Sequence, residues 1–136
     1  MKYYDELKEA ISAEDLDLTE EILDRVEQDD NSIEYVSALL GFIEENPDLD
    51  YGMPGPAVRY MERFFLKGYE QLLFESLTRK PTMHTLWMLN RILNSPKLEE
   101  KDRYLSLLEN IASDDSIGEK VRVDAGRFLN YQTGNR

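Results

Sequence analysis

The chain has 136 residues, 41% of them hydrophobic, and its 28 acids against 16 bases leave a net charge of −12. That is one domain's worth of sequence, and with no cysteine it excludes disulfides, thiol catalysis, iron–sulfur clusters and thiolate zinc sites. The longest uncharged run, Pro81–Asn90, is too short to span a bilayer, and the opening MKYYDELKE lacks a secretory signal's apolar core, so a soluble cytoplasmic domain is expected.

Apolar residues recur at helical spacing almost throughout, and no stretch alternates as a strand would. A first helix over Lys2–Ser12 sets Tyr3, Leu7, Ala10 and Ile11 on one face. A second, over Asp17–Gln28, turns Leu18, Ile22 and Val26 inward. Asn31 stands three residues before Glu34 and reads as a capping pair for a third helix, which Asn46-Pro47 ends after Glu45. Its apolar arc holds Val36, Leu39, Leu40, Phe42 and Ile43, with Glu34, Ser37, Gly41 and Glu45 opposite.

The segment Asp48–Pro56 (DLDYGMPGP) is an irregular connection, because its prolines favour extended geometry and its glycines permit tight turns. Pro56 then opens a fourth helix to Lys67 that buries Val58, Met61, Phe64 and Phe65, with Gly68 as its C-terminal cap. A fifth covers Tyr69–Arg79, and Thr82 caps a sixth that runs to Asn94. A seventh spans Leu98–Ala112. Ser116 and Glu119 offer a capping box for the last, which ends near Tyr131 and leaves residues 132–136 as a frayed tail.

This pattern predicts an all-α chain of eight short antiparallel helices in a single domain over residues 1–136. Acidic helices fill 1–50 and stacked helix pairs fill 51–131. From residue 32 the helices pair at intervals of roughly 30–36 residues, within the range of helical solenoids. Val121, Arg122, Ala125 and Leu129 resemble the second helix of a HEAT-type repeat, so a compact HEAT-like α-solenoid fragment is expected, with an irregular helical bundle as the alternative.

The negative charge is segregated. Residues 1–50 carry 17 acids and three bases, whereas residues 51–136 carry 11 acids and 13 bases. A field of that sign repels nucleic acid and anionic lipid and attracts a basic protein surface. On the second helix Glu20, Asp24 and Glu27 recur at i, i+4 and i+7, where like charges cost a few tenths of a kcal/mol each and no cation intervenes. Asp29, Asp30 and Glu34 extend this strip through the next turn, and Glu44, Glu45, Asp48 and Asp50 close the third helix. Such a strip is either a solvated face or a surface presented to a cationic partner.

Enzymatic signatures are missing: there is no HExxH, GxSxG, phosphate-binding GxxxxGK or GxGxxG. Asp48-x-Asp50 lacks the later ligands of a calcium loop, so no metal, cofactor or catalytic residue is expected, and the chain reads as a binding protein. The sixth helix offers a second surface. Its outer side carries His84, Trp87, Asn90, Arg91 and Asn94, either a tryptophan anchor beside an arginine or simply a packed helix face.

The central block, DYGMPGPAVRYMERF followed by GYEQLLFESLTRKPTMHTLWMLNRILN, resembles small all-helical bacterial immunity proteins of polymorphic toxin and contact-dependent growth inhibition systems. The likeness covers Asp50–Asn94 and is carried by the PGP turn, Gly68-Tyr69-Glu70, Arg79-Lys80-Pro81-Thr82 and His84-Thr85-x-Trp87-Met88-Leu89-Asn90-Arg91. It implies an inhibitor, not an enzyme, whose partner is the basic toxin domain of a larger effector, with nucleases the prime case. The strip Glu20 to Asp50 and the loop residue Tyr51 would then make the contacts, with His84, Trp87 and Arg91 as secondary candidates. The alternatives are a helical-repeat interaction adaptor and, below it, a small carboxylate-dependent hydrolase. Nothing in the sequence specifies an oligomeric state.

Overall fold

A computed structural model describes residues 1–134 of the chain, and Asn135 and Arg136 of the expected tail lie outside the described residues. Among the described residues the protein is all-α: eight helices, no strand, and no helix long and apolar enough to cross a membrane. The helices are α1 (Tyr4–Ser12), α2 (Leu16–Asp29), α3 (Glu34–Glu45), α4 (Pro56–Glu62), α5 (Tyr69–Arg79), α6 (Met83–Leu93), α7 (Lys101–Ser113) and α8 (Glu119–Thr133). The chain divides into two compact units, Met1–Leu72 and the residues from Leu73 onward, with the division inside α5.

In the first unit α2 packs on α1 and α4, and α3 packs on the same two helices. The 3.6-residue period explains which side chains meet: Leu7, Ala10 and Ile11 of α1, Ile22, Leu23 and Val26 of α2, and Val36, Leu39, Leu40 and Ile43 of α3 are all buried. Asp15 starts α2 by accepting a hydrogen bond from the Leu18 amide at 3.0 Å. Leu18 itself is exposed and Thr19 is buried in its place, so the inward stripe of α2 is rotated from the expected one.

The start of α3 differs from the Asn31–Glu34 capping pair. Its N-cap is Ile33, and the Glu34 amide bonds to Ser32 Oγ at 3.1 Å. Asn31 is held elsewhere, because its Oδ1 accepts from the Tyr60 hydroxyl of α4 at 2.9 Å. The fourth helix is shorter than its apolar spacing suggests. After Glu62 the amides of Arg63, Phe64, Phe65 and Lys67 bond three residues back, Leu66 takes φ +66°, and Phe64 and Phe65 stay half-buried. Gly68, at φ +116°, turns the chain into α5 where a Cβ would stand 2.9 Å from Ile33 Cδ1. Because α4 packs on α2 and α3, it belongs with the acidic helices. The helices expected as an acidic group over residues 1–50 thus share their unit with α4, and the division of the chain falls at Leu72–Leu73.

In the second unit α8 packs on α7 and α6, and α6 on α7. Thr82 caps α6 through a reciprocal box with Thr85, as its sequence predicts, and Leu86, Met88, Leu89, Ile92 and Leu93 form the buried side. The seventh helix begins at Lys101 and not at Leu98, since Glu100 takes the left-handed φ +55° that a helix cannot continue. The Ser116–Glu119 box does not form. Ser116 donates to Asp114 Oδ1 at 2.6 Å, and Gly118 occupies the N-cap of α8 without a side-chain bond. At its other end α8 extends through Gln132 and Thr133, which corrects the frayed tail there. The Gln132 amide donates to Asn90 Oδ1 at 2.7 Å and to Asn94 Oδ1 at 2.9 Å. Of the four residues expected to stack in a HEAT-like manner, Ala125 is buried and Val121, Arg122 and Leu129 are partly exposed.

Candidate functional site

The division of the chain sharpens the charge asymmetry. Met1–Leu72 holds 19 acids and six bases, net −13, while the second unit holds nine acids and ten bases, net +1. The question for each acid of the first unit is whether the fold already uses it.

The helical positions of α2 sort its carboxylates into three groups. Glu20 and Glu27 lie on the flank toward α4, where Arg59 Nη2 stands 3.5 Å from Glu20 and Arg63 pairs with Glu27. On the opposite flank Arg25 reaches Glu6 of α1 at 3.7 Å. The expectation that no cation relieves the Glu20/Asp24/Glu27 strip is thus overturned for Glu20 and Glu27, which meet Arg59 of α4 and Arg63 just past its end. Between the flanks runs an outward ridge of Asp17, Glu21 and Asp24, spaced i, i+4 and i+7. All three are exposed, and none has an ion pair or side-chain hydrogen bond among the described residues. Asp24 was legible in the sequence; Asp17 and Glu21 were missed, although their spacing from Asp24 is helical. Beneath the Glu20–Glu27 flank α2 and α4 enclose a groove of about 260 Å³ floored by Leu23, Pro56 and Tyr60.

Asp29 and Asp30 have internal work. The Tyr3 hydroxyl donates to Asp29 at 2.7 Å, and Lys2 lies 3.7 Å from the same carboxylate. The Tyr35 hydroxyl donates to Asp30 at 2.6 Å, the Lys2 amide donates to it at 2.8 Å, and the Tyr3 amide donates to Tyr35 at 2.9 Å. These bonds tie the start of the chain to the α2–α3 turn. The Tyr35 hydrogen bond, then that of the Lys2 amide, holds the Asp30 carboxyl below its ordinary range. Burial, then the bond to Asp30, pushes the Tyr35 hydroxyl up to about 12. The hydrogen bond to Asp29 likewise raises the Tyr3 hydroxyl. Both acids, expected in the partner strip, therefore hold the fold together.

Two further candidates are withdrawn by burial. Glu44 stands four residues after Leu40, on the packed arc of α3, and is buried. Tyr51 is 4% exposed, and its hydroxyl donates to the carbonyls of Asn46 at 2.7 Å and Phe42 at 3.1 Å, closing the end of α3. Burial pushes that hydroxyl up to about 12. Glu34, Glu45 and Asp48 are exposed and carry no side-chain partner among the described residues. Asp50 is exposed and folds locally, accepting from the Gly52 amide at 2.9 Å.

In the second unit the structure brings His84, Trp87 and Arg91 together on α6. The Arg91 guanidinium lies 5.3 Å from the indole centroid, the His84 ring 5.4 Å from it, and all three are half-buried. A separate groove of about 470 Å³ lies between α5 and α7, with Phe74, Leu77, Leu107, Ile111 and Ile117 as its apolar lining. Among the described residues no three His, Asp or Glu side chains are placed to hold a metal ion.

Two outcomes test this sorting. The Asp24→Asn change removes like-charge contacts and raises stability by a few tenths of a kcal/mol. Glu27→Gln strands Arg63 and lowers stability by less than about 1 kcal/mol, so urea unfolding separates the two by sign. The Tyr35→Phe change should cost about 1–3 kcal/mol at neutral pH, since it leaves the Tyr3 amide and Asp30 without their partner. Asp30 is depressed in the folded state, so its contribution is present above its ordinary value near about 4 and is lost as pH falls through the folded value. The gap between wild type and Tyr35→Phe therefore narrows as unfolding is measured at progressively lower pH.

No protein family, curated protein or solved structure matches the chain, so the site rests on the geometry of these residues alone.

Proposed function

We propose that the protein binds a basic protein domain through the exposed acids of its first unit. In the setting that its central block resembles, it acts as an immunity protein that neutralises a bacterial toxin domain, with a nuclease the best-fitting class. A nuclease cleft is built to receive phosphates, and a rigid array of carboxylates presents charge of the same sign.

The observation that supports this reading is the Asp17–Glu21–Asp24 ridge, which no cation neutralises among the described residues, on a unit of net charge −13. Glu20 and Glu27 of α2 are paired with arginine, whereas Asp17, Glu21 and Asp24 carry no ion pair among the described residues. Solubility does not require such concentration, because charge of either sign spread over both units would serve it. Steering to a basic partner does use it, because field strength rises with local density of charge.

The adaptor reading draws on a different feature, the α5–α7 groove, whose apolar lining suits a short peptide. It makes no use of the acidic ridge, and that separates the two.

The test is affinity capture from native cells at low salt, comparing wild type with the folded Asp17→Lys/Glu21→Lys/Asp24→Lys chain. The proposal predicts one stoichiometric basic protein on wild type, released by salt and missing from the variant. Equal capture by both chains, or no basic partner on either, contradicts it.

A further inference from the structure

The turn between α3 and α4 is tied to the rest of the first unit at several points, and among its exposed side chains is one large apolar group, Met53. Tyr51 is buried beneath it with both its hydroxyl contacts satisfied. The Asp50 amide donates to Glu14 Oε2 at 2.7 Å, the Gly52 amide to Asp50 Oδ1 at 2.9 Å, and Arg59 Nη1 to the Pro54 carbonyl at 3.0 Å. Backbone packs directly on backbone: a Cβ on Gly55 would lie 1.6 Å from the Tyr51 carbonyl oxygen, and one on Gly52, at φ +82°, 2.5 Å from Gly55 Cα.

Within this framework Met53 is 71% exposed. The other exposed large hydrophobic residues range from 37% for Leu18 to 51% for Met1. Met53 is thus the most exposed large apolar side chain among the described residues, and it sits between Gly52 and Pro54, whose backbone contacts hold the turn. An apolar group on a preorganised loop loses little beyond its own rotamer freedom when it docks, and a thioether adapts to an irregular recess. Asp48 and Asp50 precede it on the same turn, both exposed, within a unit of net charge −13.

From this juxtaposition we infer that Met53 is the apolar anchor of the acidic surface. It inserts into a recess on the basic partner whose rim carries the lysines or arginines that meet Asp48 and Asp50. The inference rests on the reading of the first unit as a binder of basic protein, and it adds a specific contact to a field that by itself supplies mainly association rate. Of the loop contacts expected from the sequence, Asp48, Asp50 and Tyr51, the two acids are exposed, whereas Tyr51 is buried and the methionine two residues on is exposed.

The test replaces Met53 in the full chain with a diazirine-bearing residue, with Met83, 47% exposed on α6, replaced in a control chain. Irradiation in native cells should give one dominant adduct from position 53, with a protein richer in bases than acids, and none of that adduct from position 83. Against that purified protein, Met53→Ser should weaken binding about tenfold or more while leaving the melting temperature unchanged. Met53→Leu should restore affinity to within about threefold of wild type, since it keeps volume and polarity. A missing adduct, an adduct with an acidic protein, or a Met53→Ser chain that binds as wild type does would each overturn the inference. If Met53→Ser binds normally while the charge-reversed α2 chain does not, the acidic surface stands and the anchor falls. If both variants bind as wild type does, both fall.

Discussion

Nineteen acids and six bases must be closed around one apolar core in the first unit, and the placement of those few cations organises everything else there. Arg59 of α4 and Arg63 at its C-cap stand where Glu20 and Glu27 of α2 would otherwise face the neighbouring helix across a shared groove. Arg25 turns the other way to Glu6. At the α2–α3 turn tyrosine hydroxyls add to the one nearby cation: Tyr3 and Tyr35 donate to Asp29 and Asp30, and Lys2 pairs with Asp29. Individually these exposed pairs contribute little. Together they decide which acids are internal and which remain available.

What remains is a surface in two parts. The ridge of Asp17, Glu21 and Asp24 supplies a field, and field alone accelerates encounter without choosing among basic proteins. The α3–α4 turn adds shape, since it is fixed by contacts to Glu14, Phe42, Asn46 and Arg59 and projects a single apolar side chain. On the proposed reading, charge serves the association rate and the Met53 contact the residence time. The second unit, near neutral and built on α6, α7 and α8, carries the Trp87–Arg91 stack and the α5–α7 groove; neither takes part in this account.

Much of the helical pattern is legible from spacing alone. The bounds of α5, the cap at Thr82, Pro56 opening α4 and the buried arcs of α1, α3 and α6 all follow from local rules that the three-dimensional environment leaves intact. Some misreadings are local, as where Ser116 bonds to Asp114 and Glu100 takes a left-handed φ, but the ones that bear on the acidic surface come from a partner distant in the chain. Asn31 does not cap α3 because Tyr60 claims it, and Asp29 and Asp30, expected as free acids, carry hydrogen bonds from Tyr3 and Tyr35. The acidic strip looked unrelieved because its arginines lie beyond the Asp48–Pro56 connection, where helical spacing cannot place them. Tyr51 and Glu44 show the complementary limit: residue type suggested exposure, while packing on α3 removed both from solvent.

The most direct test of the central claim is the association rate constant with the captured partner, measured across a range of ionic strength. An interface steered by the first unit's charge gives a rate that falls steeply with added salt while the dissociation rate changes little. A rate constant that is flat across the same range would contradict it, and the acids of α2 would then be a solvated face only.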